Sequence, residues 1–443
     1  MWQRTGVVTR QQRRAWVSQL PCTTHSSAST MPFVAIASWS NALASPVVAG
    51  VLAAAPWWAV PPFLALRLGQ TPSLEDVDAG LELVSSTPRV SVIVPARNEA
   101  MNIGDCLRTI RASTWPDLEI IVVDDGSTDG TAAIARQVAE GDPRVRVIEA
   151  PALPSGWFGK QWGCHVGTRK ATGSLLLFTD ADTRHAPDLV LRMVLMRASR
   201  GADLMSVAGR QETGTLWERA VQPLMFALIL ARYGGASALE RARRASDVVA
   251  NGQCFMISRD WYDAVGGHEA VRDFVAEDVM MAQAVWQHGG RVSMALGRAQ
   301  LSTRMYDGLS SLVRGWGKNV YAGGRHSMRG GRVGRALFPA LLLSAPLLVI
   351  MPPLVLLVLL AGRLLAAGDG SPAVPWWDGW MVWSTIATGS VLLTAAAVNR
   401  FNGEPWHRAL LAPLGALVLL AIFVMAIVRG SSVEWKDRGY VAR

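Results

Sequence analysis

With 443 residues, half of them hydrophobic and only 17% charged, the chain exceeds one ordinary soluble domain and leaves apolar surface for lipid. Its net charge of +9 comes with no basic helix, finger or RNP-like pattern, so the charge points away from nucleic acid and towards an anionic membrane surface. The four cysteines, Cys22, Cys106, Cys164 and Cys254, form no C-x-x-C pair, which argues against zinc or a disulfide framework and agrees with a reducing cytosol.

Residues 1–30 are polar and basic, carry no signal-peptide pattern, and are expected to be a disordered arm, with Met31 as an alternative start. Residues 31–66, 336–362, 379–399 and 409–428 contain no Asp, Glu, Lys or Arg. A bilayer crossing needs about 20 mostly apolar residues, so four transmembrane helices are expected at 44–66, 336–362, 379–399 and 409–428, followed by a tail at 429–443. Residues 67–88 read as a linker with a short acidic segment, and 89–330 as a compact α/β domain.

Within that domain, VSVIVPA (Val90 to Ala96) is a strand followed by a polar turn, Arg97-Asn98-Glu99, and a helical pattern carrying Ile103, Leu107 and Ile110. LEIIVVDDGSTDGT repeats the design, with strand Leu118 to Val123, an acidic turn and a helix. Further strands fall at Val145 to Ile148 and at 174–178. This alternation predicts a mainly parallel, doubly wound sheet, and no G-x-G-x-x-G follows the first strand. The glycine-rich PSGWFGKQWG (Pro154 to Gly163) reads as a loop. Either Lys160 reaches a phosphate and the aromatics face a sugar or lipid, or the tryptophans pack under the domain. Residues 216–235, broken by Pro223, read as an interfacial helix or domain core.

The stretch SLLLFTDADT exposes Asp180 and Asp182 at the lip of a buried strand. Two carboxylates one residue apart suit a hard divalent cation that keeps waters and phosphates as other ligands, and ligands bind outside the carboxyl ends of such strands. The structural alternative is an Asp-rich turn with Thr179 or Asp182 capping the next helix. Glu277 and Asp278 open a later helix, where acidic residues also favour the helix dipole. SLVRGWGKN (Ser311 to Asn319) places Arg314, Trp316 and Lys318 just ahead of the second apolar segment.

In their order, P-A-R-N-E, VDDGSTDGT, DAD, GGH and AED resemble the family-2 glycosyltransferases of GT-A fold over about 90–330. The flanking apolar segments, GKQWG, RGWGKN and the terminal VEWKDRGY are similar to the lipid-directed branch of hopanoid-associated and carotenoid glycosyltransferases. The resemblance implies that Pro95, Arg97, Glu99, Asp124 and Asp125 form a nucleotide-binding edge, with Lys160 and Asp180 on the diphosphate. It implies Mg²⁺ or Mn²⁺ on Asp180 and Asp182 and Asp278 as general base; Glu277, and Arg314 and Trp316 of the basic segment, are expected on the acceptor side. The processive synthases carry Q-x-x-R-W where this chain reads SLVRGW, which speaks against polymerisation.

The expected function is therefore inverting, metal-dependent transfer of a sugar from a nucleotide sugar to a membrane lipid, by a multi-pass protein with a cytoplasmic catalytic domain. Alternatives are transfer to polyprenyl phosphate or a nascent polysaccharide, or a catalytically silent scaffold. Four crossings would put Arg429, Lys436, Arg438 and Arg443 on the side opposite the catalytic domain, against the positive-inside rule. A re-entrant hairpin at Pro339, Pro346 and Pro352-Pro353 would bring them back. The basic segment 298–335 is expected to meet headgroups, with Trp316 at their boundary, either on the acceptor route or as an anchor.

Overall fold

The computed structural model describes residues 45–78, 87–326, 331–369, 376–430, 432–435 and 438–441. The expected arm at 1–30 lies outside them. A seven-stranded sheet forms the centre of the α/β domain, in the order β3-β2-β1-β4-β8-β6-β9. Its strands are β1 Val90–Ala96, β2 Leu118–Asp124, β3 Val145–Glu149, β4 Leu175–Thr179, β6 Leu204–Ala208, β8 Cys254–Ser258 and β9 Val292–Leu296. Three short strands, β5 Thr183–His185, β7 Arg210–Gln211 and β10 Leu301–Thr303, form a second sheet beside it.

The β-branched and leucine-rich runs of β1, β2 and β4 are buried on both faces, as strands covered on each side by helices must be. Helix α1, the run Pro46–Leu68, leads into the domain. Helices α2 Ile103–Arg111 and α3 Thr131–Ala139 follow β1 and β2. On the other face, Cys164 of α4, Gly159–Lys170, packs with Ile93, Leu176 and Phe178. β1 to β4 run parallel, whereas β8 inserts antiparallel between β4 and β6. The sheet is thus mainly parallel and GT-A-like, as expected. Its order reverses at β1, where a crevice for ligands opens at the strand ends.

Two expectations change and one alternative falls away. The 67–88 segment is no free linker where it is described: Leu74 is fully buried in the main core, and the Leu296 N–H donates to the Pro72 carbonyl at 2.8 Å. An apolar residue inside an acidic stretch, with Arg192 bonded to the Leu74 and Val77 carbonyls, docks it beside β9. The PSGWFGKQWG loop ends early, because Gly159 already opens α4. The 336–362 segment lies within one helix, α8 Gly331–Asp369, with its four prolines inside, so the alternative hairpin does not form.

Among the further helices are α5 Leu216–Tyr233, α6 Glu277–Gln287, α7 Leu309–His326, α8 Gly331–Asp369, α9 Trp376–Phe401 and α10 Ala412–Arg429. Four stretches, Pro46–Leu68, Gly331–Ala367, Trp377–Phe401 and Trp406–Arg429, are long and apolar enough to cross a membrane. The last three outrun the charge-free segments read from the sequence, since a helix continues past its apolar centre into the interface. α1, α8 and α9 pack together through Trp57, whose Nε1–H donates to the Leu348 carbonyl at 2.8 Å and whose ring meets Trp383 edge-on. α5 begins in a capping box of Thr215 and Glu218 and buries Val221 and Met225 against Leu419, Ile422 and Phe423 of α10.

Leu74→Ala should lower stability by about 2–5 kcal/mol, the cost of a cavity at a fully buried leucine. Thermal unfolding of the detergent-solubilised protein measures it; an unchanged transition would show that the segment is not docked.

Candidate active site

The ends of β1 and β2 are level, with Ala96 opposite Asp124, so the turns that follow lie side by side. They are tied by hydrogen bonds. The Asn98 N–H donates to Ser127 Oγ at 3.0 Å, Thr128 N–H to Asn98 Oδ1 at 2.9 Å, and Glu99 N–H to Thr131 Oγ1 at 2.7 Å. Asn98 adopts a positive φ of 51°, tolerated because its short amide bonds the neighbouring turn. Arg97 donates from Nη1 to the carbonyls of Asp125, at 2.5 Å, and Gly126, at 3.0 Å.

Asp124 accepts the Ser127 N–H at 3.2 Å through one oxygen, while its other oxygen, Oδ1, is buried with no partner. Such an acceptor fits a ligand N–H or O–H. Asp125 is buried and accepts from Arg438 Nη1 at 2.5 Å. Burial raises its carboxyl pKa, opposed by that guanidinium.

At the end of β4, Asp180 and Asp182 flank buried Ala181. Lys160, in the first turn of α4, places Nζ 2.7 Å from Asp180 Oδ1 and 2.7 Å from Glu277 Oε1. Burial works against its ammonium, but Asp180, Glu277 and Asp278 outweigh it and hold the pKa well above the ordinary lysine value. Burial raises Asp180, with Lys160 opposing. Burial, reinforced by Asp180, pushes Asp182 up to about 7, and Asp182 Oδ1 is a second buried oxygen with no partner. Among the described residues no cluster of three His, Cys, Asp or Glu side chains forms a metal cage. Two carboxylates with an unfilled acceptor instead fit a cation that takes its remaining ligands from phosphate and water.

Asp278 sits at the start of α6, where its Oδ1 accepts the Val279 N–H at 2.8 Å. Burial and the Glu277 charge push its carboxyl up to about 7. Gly252 makes room for it: a Cβ there would lie 2.7 Å from Asp278 Oδ2. These groups share one cavity of about 1680 Å³, which Pro95, Arg97, Glu99, Asp125, Lys160, Asp180, Asp182, Glu277 and Asp278 help to line.

Sequence residues from 95 to 278 thus converge, Arg314 and Trp316 line the same cavity, and one expectation needs amendment. Trp316 is buried among Tyr306, Leu312 and Phe423, because α7 packs under α10; it is not a headgroup-boundary residue. Arg314 lines the cavity and donates to Ser310 Oγ at 2.6 Å. Trp157 is buried and Trp162 donates to the Pro151 carbonyl, so these tryptophans pack instead of facing a ligand, whereas Phe158 lines the cavity. His268 of the GGH motif is also structural: burial holds its pKa at about 3, and Nδ1 lies 2.9 Å from the Tyr262 hydroxyl. The sequence reading missed Gly252, visible only as one small residue in ANGQCF, and Arg438, hidden in a tail 313 positions from Asp125.

Residues 91–266 match the model of glycosyl transferase family 2. A 4,4'-diaponeurosporenoate glycosyltransferase of Staphylococcus aureus is 29% identical over 241 residues, 53% of this chain and 61% of the relative. The chain therefore spans less than two thirds of that relative's length. The structure of mannosyltransferase PcManGT from Pyrobaculum calidifontis, in complex with GDP-Man and Mn²⁺, aligns with a TM-score of 0.51 at 21% identity, covering 87% of this chain and 98% of that one. This likeness establishes a shared fold.

Gly252→Ala should displace the Asp278 carboxylate and, if that carboxylate takes part in turnover, reduce the rate about 10²-fold, the effect of a small misplacement at a reacting centre. Steady-state rates with an unshifted melting temperature would support the placement; wild-type rates would refute it.

Proposed function

We propose that this chain, whose residues 91–266 form a glycosyl transferase family 2 domain, is an inverting, metal-dependent enzyme that moves a sugar from a nucleotide sugar to a lipid acceptor at the membrane. One observation carries the reading: the cavity is continuous from carboxylates to hydrocarbon. Asp180, Asp182 and Asp278 line one part, and Leu64, Phe226, Leu341, Val398 and Phe423, from five apolar helices, line another. A water-soluble acceptor has no use for such a wall, whereas a lipid with a reactive oxygen needs both parts. The S. aureus relative, named for 4,4'-diaponeurosporenoate, supports the same acceptor class.

On this reading Pro95 and Arg97 wall the nucleoside, Glu99, Asp124 and Asp125 accept its N–H and O–H groups, and Lys160 faces the diphosphate. Asp180 and Asp182 would hold Mg²⁺ or Mn²⁺, which when bound neutralises the negative charge growing on the departing diphosphate. Asp278 takes the proton of the incoming hydroxyl. A carboxyl near 7 is matched to that task, since an effective base has a pKa close to working pH. A single displacement from the face opposite the leaving group inverts the anomeric carbon. The catalytic domain then belongs on the cytoplasmic side of the cell membrane, where nucleotide sugars are found.

A second reading, transfer to polyprenyl phosphate, is favoured by Arg298, Arg304 and Arg314 on the same cavity, because guanidinium groups pair well with phosphate. Mass spectrometry of the organic-phase product decides, by the presence or absence of phosphorus. Product found only in the aqueous phase would defeat both readings.

Asp182→Asn and reversible EDTA treatment should each abolish turnover with folding intact, and full activity in EDTA removes the metal from the mechanism. Asp278→Asn should cost about 10²–10⁴ in rate with donor affinity unchanged. In the wild type, a base must be ionised, so kcat should decline as pH falls through about 7. A rate that stays level down to pH 5 would exclude Asp278.

A further inference from the structure

The chain ends in a hairpin, β11 Ser432–Trp435 antiparallel to β12 Arg438–Val441. It is not a free tail. Arg438 Nη1 donates to Asp125 Oδ2 at 2.5 Å, and its Nη2 reaches the Asp125 carbonyl at 3.5 Å. Tyr440 stacks on Phe158, with centroids 4.3 Å apart and planes 19° from parallel. Phe158 is the residue immediately before α4, which carries Lys160, and it lines the cavity. The hairpin therefore joins the two walls of the nucleotide end: the β2 turn through Asp125, and the start of α4 through Phe158.

This contact fixes where the chain must be after α10. α1 leads into the sheet domain, α8 leaves it and α9 returns, its last residue Phe401 lying under the Arg298 guanidinium at 4.9 Å. Immediately before α10, Arg408 donates to Thr213 Oγ1 at 3.3 Å, and Thr213 donates to Glu404 at 2.7 Å. α10 then runs along α5, so closely that a Cβ on Gly415 would lie 2.0 Å from the Ala220 carbonyl oxygen. At its far end Arg429 lines the cavity. The segments on either side of α10 are thus both tied to the sheet domain. Length and apolarity alone read this helix as a crossing.

We propose that the terminal hairpin is part of the donor site, with Arg438 as a positioning residue that holds Asp125 for the nucleotide, and that α10 lies along the catalytic face to deliver it. The proposal rests on the reading of the Asp125 edge as the nucleotide end. Three crossings then replace four, and the basic tail shares the catalytic side, in keeping with the positive-inside rule. Arg438 acts through a bidentate-capable guanidinium, so Lys in its place keeps the charge but not the fork.

Two measurements on the full-length protein test it. A membrane-impermeant maleimide should label a cysteine added after Arg443 from the same side as Glu140→Cys, an exposed position in the sheet domain. Labelling from opposite sides overturns the proposal. For the donor site, binding of UDP and of GDP with Mn²⁺ is measured directly. Arg438→Ala should raise the Kd of the preferred nucleotide about 10–100-fold, the usual loss when a ligand-orienting partner is removed. Arg438→Lys should recover part of it, and kcat at saturating donor should stay near wild type. In the Asp125→Asn background, Arg438→Ala should add little, a non-additivity that general destabilisation does not produce. Unchanged Kd in Arg438→Ala, with Asp125→Asn weakened, refutes the hairpin's role and leaves the donor reading standing. Wild-type protein that binds neither nucleotide overturns that reading, and the proposal with it.

Discussion

One ammonium group holds the site together. Asp180, Asp182, Glu277 and Asp278 converge on one end of the cavity, and Lys160 stands 2.7 Å from both Asp180 and Glu277. Carboxylates this close repel and resist burial, which is why Asp182 and Asp278 are both pushed up to about 7. Lys160 is placed by backbone: the Phe158 N–H donates to the Arg272 carbonyl at 2.9 Å, and Gln161 Nε2 to the Phe274 carbonyl at 2.5 Å. The start of α4 is thereby pinned to the segment that runs into α6. Strand β4 and helix α6, a hundred residues apart in sequence, are brought to one charge.

The same economy governs the membrane side. α5 buries Glu218 completely against Arg304, an ion pair at 3.3 Å at the seam between sheet domain and apolar helices. Removing Arg304 would leave the fully buried Glu218 carboxylate without its cationic partner, so the pair fixes how the domain sits on its helices. Around that seam Tyr306, Trp316 and Phe226 fill the space between α5, α7 and α10.

Much of this was legible in the chain itself. Strands buried on both faces announce themselves as β-branched runs, and the level ends of β1 and β2 follow from repeating strand, acidic turn and helix. DAD and AED were found because carboxylates in apolar surroundings are conspicuous. What escaped was whatever depends on a distant partner. Trp316 looked interfacial because its burial comes from α10, a hundred residues later. Leu74 looked like linker because the core that covers it is assembled from other strands. The aromatics of PSGWFGKQWG left two readings open, and tertiary packing chose between them.

Helix α10 shows why membrane topology is the hardest of these to read. Its 18 residues rise roughly 27 Å, close to a bilayer's hydrocarbon thickness, and no charge interrupts its apolar centre. Hydropathy measures the cost of meeting water, and that cost is avoided equally by lipid and by a protein groove. α10 buries Ala416, Leu419, Ile422, Phe423 and Ala426 within the protein, and Gly415 admits the α5 backbone. Such a helix needs protein on one face and lipid on the other, which is the environment of a chain lying where a catalytic domain meets its membrane.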